Sequence, residues 1–233
     1  MKRRKQRSGM IRGGIAGLVI VAIFGAILIS GHKGSKKAAT TTTKASGVTC
    51  TDTKPARGST KTYSKAPAMT IDPAKTYTAT MTTNCGTITI ALDPKEAPKT
   101  VNSFVFLAKQ HFYDGLSFHR VAKDFVVQGG DPKGDGSGGP GYSLPTEPPK
   151  TGYKGGSVAM ANAGAGTTGS QFFLTWTDAG AKNLGGPPYL YSILGTVTKG
   201  LDIVKQMGSY APASGDGAPT KNLYIDKVTI SES

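Results

Sequence analysis

Residues 116–131 read LSFHRVAKDFVVQGGD, and their two halves, LSFHRVA at 116–122 and DFVVQ at 124–128, are short β-rich runs in which apolar and polar side chains alternate. Alternation at a period of two marks a strand with one buried face. The pattern continues outward on both sides. TYTATM at 76–81 and GTITIAL at 86–92 precede it; GSVAMA at 156–161, SQFFLTW at 170–176, YSILGTV at 191–197 and LYIDKVTI at 223–230 follow a long Gly/Pro loop. Eight such runs suit a mainly β, closed barrel. Two helices interrupt them. Pro98 opens the first, at a position where a missing N–H costs nothing, and Val101, Phe104, Val105 and Ala108 share one face through to Gln110. The second, Leu201 to Met207, is expected to turn Leu201, Val204 and the stem of Lys205 inward.

With 233 residues, 37% hydrophobic and 18% charged, the chain accommodates one folded domain with polar additions. The formal charge of +14 would suit a nucleic-acid partner, but its distribution argues otherwise. Residues 1 to 67 hold fourteen Lys and Arg against one acid, Asp52, whereas residues 68 to 233 hold fourteen against thirteen. The folded part is close to neutral, so no nucleic-acid partner is expected.

Residues 1–12 form a basic tail, followed by an uncharged run over 13–31 containing IAGLVIVAIFGAILIS. Nineteen residues just span a bilayer, and the positive-inside rule puts everything after Gly31 outside the cytoplasm. The expected anchor is a single transmembrane helix in the cell membrane. A cleaved signal, which would leave a secreted domain, is the alternative, but no A-x-A-like site follows Ile29. Residues 32–68 are Thr, Lys, Ser, Ala, Gly and Pro with few large apolar side chains, and read as a flexible linker. The domain is expected over 69–233.

The two cysteines, Cys50 and Cys85, have the means to pair in an oxidising compartment and pin the end of the linker to the first hairpin; two unpaired thiols are the alternative. Two Cys and three scattered His show no ligand spacing, so no metal and no cofactor is expected.

Three segments concentrate residues that a plain barrel does not need: Phe118-His119-Arg120 with Phe125 through Asp131, then Met160-Ala161-Asn162-Ala163-Gly164, then Gly169-Ser170-Gln171-Phe172-Phe173. In this order FHR, QGGD, MANAG and GSQFF resemble the cyclophilin signature, and the resemblance runs from about Tyr77 to Ile230. It implies an eight-stranded antiparallel barrel capped by two α-helices, with a substrate groove on one outer face, and peptidyl-prolyl cis/trans isomerase activity on proline-containing peptides or unfolded proteins. Arg120, Phe125, Gln128, Asn162 and Phe173 match the family's catalytic set. Val126, Gly136, Ala161, Ala163, Gln171, Leu184 and Tyr191 match positions that line the groove, with Gln128 and Asn162 hydrogen-bonding the substrate backbone.

The residue types suit that chemistry on physical grounds. Rotation about an amide has a barrier of about 18–20 kcal/mol because the nitrogen lone pair is delocalised into the carbonyl. A cation that donates to the lone pair emerging on the prolyl nitrogen binds the twisted amide better than the planar one. Arg120 is the candidate, since a guanidinium stays charged. Aromatic and aliphatic side chains grip the pyrrolidine ring by burying its carbons. His119 precedes the functional arginine and alternation points it to the other face, so it reads as structural. The stretch Asp135 to Pro140 invites comparison with the serine-protease GDSGGP segment. Gly136 separates acid from serine, however, and His119 lies only eighteen residues before Ser137; it reads as a Gly-rich turn.

The chain departs from the family at three places. Val126 stands where Met is common. Asn183-Leu184 stands where many members have Trp-Leu, which predicts cyclosporin binding in weakened form. Tyr191, or alternatively Tyr189, replaces a pocket histidine. Two rival readings are a peptide-binding scaffold without turnover and a barrel holding a small apolar ligand inside; large interior residues such as Ile88, Ile90 and Leu92 oppose the second. A monomer is expected.

Overall fold

Glycine and proline punctuation cuts the chain into short strands, and the order of those strands places the site. The computed structural model describes residues 47–233. The basic tail, the apolar run over 13–31 and the first part of the expected linker lie outside the described residues. Among the described residues no helix is long and apolar enough to cross a membrane.

In chain order the elements are β1 (Tyr77–Thr83), β2 (Gly86–Leu92), α1 (Pro98–Lys109), β3 (Arg120–Ala122), β4 (Val126–Gly129), β5 (Ser157–Met160), β6 (Phe172–Leu174), α2 (Asp178–Lys182), β7 (Ile193–Lys199), α3 (Leu201–Gly208), β8 (Asp216–Gly217) and β9 (Ile225–Glu232). They form one antiparallel sheet in the order β8-β3-β4-β6-β5-β7-β2-β1-β9.

The expected closed eight-stranded barrel with two helices is therefore corrected, among the described residues, to a curled nine-stranded sheet with three helices. Its end strands, β8 and β9, are not laddered to each other. Leu116 to His119 make no ladder of their own. A single bridge, Ser117 to Tyr224, crosses the seam, flanked by Phe118 N–H to Leu223 O at 2.9 Å and Ile225 N–H to Leu116 O at 2.8 Å. The additional strand, β8, has two residues, too few for alternation to register. The extra helix, α2, has five, and is started by Thr177, whose Oγ1 accepts the Gly180 N–H at 3.0 Å.

Alternation sorts the strand residues onto two faces. Val121, Val127, Val158, Met160, Phe172 and Leu174 join Ile88, Ile90 and Met81 in the interior cluster. Burying each such side chain contributes about 1.5–3 kcal/mol. Helix α1 adds Val101, Phe104, Val105 and Leu107. Phe104, Tyr113 and Phe118 all pack on Phe172, at centroid distances of 6.0, 5.8 and 6.2 Å, so the interior is filled by side chains. In α3 the inward residues are Val204 and Met207. Leu201 is 37% exposed and Lys205 points to solvent, against expectation, because Leu201 stands at the helix start, outside the seam centred on Val204 and Met207.

The spacer reading also needs correction from residue 47 onward. Residues 47–76 have no strand or helix, yet they form a docked strap. Cys50 and Cys85 are joined by a disulfide. Thr51 N–H donates to Asn84 O at 2.8 Å, Gly58 N–H to Asp114 O at 2.9 Å, and Ser59 N–H to His111 O at 2.9 Å. Arg57 Nη1 donates to the carbonyls of Phe112 (2.9 Å) and Asp114 (2.8 Å). Tyr63 packs edge-on against Phe106 and its N–H reaches Pro140 O at 2.8 Å. The Asn102 amide holds Thr70 N–H and Ala68 O, both at 2.9 Å. Gly115, at φ 76°, keeps the approach open, since a Cβ there would meet Ala56 O at 2.5 Å. Composition hides such a strap because its anchors are few and widely spaced.

Candidate active site

Directly opposed residues on neighbouring strands share one face of a sheet. On the outer face Arg120 (β3) opposes Gln128 (β4), Gln128 opposes Phe173 (β6), and Phe173 opposes Ala159 (β5). Two arms grow from this row, one polar and one apolar.

The polar arm is a chain of side-chain hydrogen bonds. Arg120 Nη1 donates to Gln128 Oε1 at 2.9 Å, Gln128 Nε2 donates to Gln171 Oε1 at 3.0 Å, and Gln171 Nε2 reaches the carbonyls of Gly136 and Gly138, both at 2.9 Å. Gly136 is held from its other side by Asp131, a buried carboxylate whose Oδ2 accepts the N–H groups of Asp135 and Gly136 while Oδ1 accepts that of Lys133. The Gly-rich stretch is thus a turn built on Asp131. Its Ser137 hydroxyl meets the Lys133 ammonium at 3.5 Å.

The apolar arm is a second cluster separate from the interior. Ala122, Val126, Ala159, Phe173 and Leu184 are buried in it, and Phe125, Ala161, Tyr153 and Tyr191 pack around them half-buried. The remaining groove residues converge beside it. Gly136, Ala161, Ala163 and Gln171, with Gln128 and Asn162, line one cleft of about 260 Å³. The motifs meet through their glycines. A Cβ on Gly129 would lie 2.8 Å from the Phe118 ring, and one on Gly130, at φ 83°, would lie 2.5 Å from Ser170 O; Ser170 Oγ in turn donates to Gly130 O at 2.7 Å. QGGD and GSQFF are therefore in van der Waals contact across the sheet.

The Asn162 amide, at the cleft, is engaged within the chain: Nδ2 donates to Leu190 O at 2.7 Å and Oδ1 accepts Gly164 N–H at 3.2 Å, which pins the loop at Leu190. Gln128 is likewise engaged by Arg120 and Gln171. Of the two candidate tyrosines, Tyr191 lies edge-on to Phe173 at 5.2 Å, whereas Tyr189 packs on Tyr153 at 5.5 Å.

Sequence reasoning missed two residues here. Asp216 (β8) grips Arg120 with both oxygens, Oδ1 on Nε at 2.7 Å and Oδ2 on Nη2 at 2.6 Å. Tyr153, from the loop before β5, hydrogen-bonds the Tyr191 backbone, and burial pushes its phenol up to about 12. A turn-like SGDG and a lone aromatic in TGYKGG carried no signal for either. His119 lies apart from the row, in a cleft with Arg57, Phe118 and Asp131. Its Nδ1 is buried without a partner, and burial pushes the imidazole below its ordinary value.

A sheet of this order with such an outer groove places the molecule among cyclophilin-like folds. The family model for cyclophilin type peptidyl-prolyl cis-trans isomerases matches residues 78–230. The chain is 40% identical over 186 residues to peptidyl-prolyl cis-trans isomerase A of Mycobacterium tuberculosis, covering 70% of this chain and 97% of that protein. It is 52% identical over 109 residues to a peptidyl-prolyl cis-trans isomerase of Helicobacter pylori, a match that covers 45% of this chain and 66% of the relative. A solved Cryptosporidium parvum cyclophilin type isomerase, determined in the presence of the dipeptide Ala-Pro, superimposes with a TM-score of 0.59 at 27% identity, covering 67% of this chain and 99% of that one. The chain belongs to the cyclophilin-type peptidyl-prolyl cis-trans isomerase family. Its class of enzyme is an isomerase.

Proposed function

We propose that the outer-face row is the catalytic groove, in which a proline ring sits on Phe125, Val126, Phe173 and Leu184 while the Arg120 guanidinium donates to the prolyl nitrogen as the amide twists. The observation that carries this reading is the register Arg120–Gln128–Phe173, which sets a fixed cation and an apolar seat side by side on one face. The Tyr191 ring, edge-on to Phe173, walls the ring site. Beyond it the cleft of Gly136, Ala161, Asn162, Ala163 and Gln171 takes the peptide preceding the proline. The Ala-Pro dipeptide named with the Cryptosporidium relative supports an Xaa-Pro substrate.

The clients are secreted or envelope proteins whose folding waits on proline isomerisation, which takes tens to hundreds of seconds uncatalysed. The basic tail, the apolar run over 13–31 and the Cys50–Cys85 disulfide support a domain tethered outside the cytoplasm, which we read as a monomer. Asn183 is exposed beside Leu184, which supports weakened cyclosporin binding. The test is exchange NMR of a short Ala-Pro peptide with the full chain and with Arg120→Ala. A fall in kcat of about 10²-fold or more, with a wild-type-like amide spectrum, is the expected result. A folded wild-type chain that binds the peptide without accelerating exchange overturns the reading and leaves a peptide-binding scaffold.

A further inference from the structure

We propose that Asp216 is a positioning residue for the isomerase reaction: it sets the direction in which Arg120 presents its free N–H groups. This rests on the assignment of Arg120 above. The whole of β8 is arranged for the purpose. It has two residues, and its only ladder is with the strand that carries Arg120, through Val121–Gly217 and Ala122–Asp216. The turn into it is closed by Lys123 N–H on Gly215 O at 2.7 Å and by Ser214 Oγ on Asp216 O at 3.0 Å. Gly215 (φ 87°) and Gly217 (φ 140°) supply backbone shapes that side chains disfavour. A segment with so few contacts of its own ends up holding a carboxylate beside the guanidinium.

The geometry of the pair shows what is fixed. A guanidinium carries five N–H donors in a rigid plane. Asp216 takes one on Nε and one on Nη2, and Gln128 takes one on Nη1, so the plane is held on two sides. Two N–H groups are left over, one on Nη1 and one on Nη2, and catalysis by a donor depends on where they point. Stability is not the reason for the pair. Its side chains are 35% and 51% exposed, and exposed ion pairs contribute little to folding. An Arg held by one amide alone would keep its charge and its peptide affinity while losing its aim.

The prediction separates direction from fold and from binding. In the full chain, Asp216→Ala lowers kcat by about tenfold while the affinity for an Ala-Pro peptide, titrated by NMR, changes less than about twofold and the thermal midpoint stays within a degree or two. Asp216→Asn, which keeps an acceptor oxygen at the same place, recovers most of the rate. Adding Asp216→Ala to Arg120→Ala produces no further loss, since the carboxylate acts only through the guanidinium. Full activity in a folded Asp216→Ala chain overturns the proposal while leaving Arg120 catalytic. An additional loss in the double variant overturns it as well, by showing an action independent of Arg120. If Arg120→Ala alone keeps wild-type kcat, the catalytic assignment itself fails and the positioning role falls with it, an outcome recognisable from that single variant.

Discussion

The Tyr153 hydroxyl closes on the backbone of Tyr191 from both sides, accepting its N–H at 2.9 Å and donating to its carbonyl at 2.8 Å. Together with Asn162 on the Leu190 carbonyl, it fixes the loop that brings the Tyr191 ring against Phe173. The wall of the proposed ring site is therefore held by a residue almost forty positions away in the chain.

Tyr153→Phe removes both bonds and leaves the ring in place. Freeing the loop should raise KM for an Ala-Pro peptide several-fold with a smaller effect on kcat. Stability should fall by about 1 kcal/mol, measurable by urea denaturation. An unchanged KM in a folded variant would show that Tyr191 needs no such support.

The strap makes its own prediction. Arg57→Ala abandons the carbonyls of Phe112 and Asp114 and should cost about 1.5–3 kcal/mol, the range for bonds to a charged donor. A chain cut back to begin at Met69 loses Cys50, Arg57 and Tyr63 together, and is expected to melt well below one that begins at Gly47. Equal midpoints in calorimetry would mean that the strap merely lies on the surface.

Cys50→Ser with Cys85→Ser tests the staple that starts the strap. The bridge spans a sequence separation of 35 residues, for which chain entropy gives about 3 to 4 kcal/mol. The expected results are a lower thermal midpoint and faster tryptic cleavage at Lys54, with kcat for the folded fraction retained, because no groove residue touches the disulfide. A drop in kcat without a drop in stability would contradict that separation.

Stability and catalysis should respond differently to pH. Burial depresses the His119 pKa below 6.5, so the folded state favours the neutral ring. The stabilisation this gives is complete above the unfolded value and is lost as pH falls below 6.5 toward the folded value. The unfolding midpoint should drop over that window in the wild type and flatten in His119→Gln. Over the same window kcat should stay level, since a guanidinium does not titrate there. A kcat that falls with His119 protonation would bring the histidine into the reaction.

Much of this was legible along the chain because strand alternation is a local property. Period two puts Phe172 and Phe173, like Val126 and Val127, on opposite faces; which face is interior is shown by the two separate clusters they join. Four short motifs in order then identify the family, and with it Arg120, Gln128 and Phe173. The helix from Pro98 was equally readable from its spaced apolar face. Closure was not, because a seam depends on which residues meet across it in space, and here they form a single bridge at Ser117 and Tyr224 with the hydrogen bonds beside it.

Local periodicity and motif order thus determined the strands other than β8, the first helix, the family and the residues of the outer-face row, since each is encoded in neighbours along the chain. Tertiary structure alone decided that Asp216 grips Arg120, that Tyr153 holds Tyr191, and that residues 47–76 are a strap and not a free linker. Those contacts join single residues across long separations. Each is made by one hydrogen-bonding group meeting another in space, and no periodicity or composition along the chain records such a meeting.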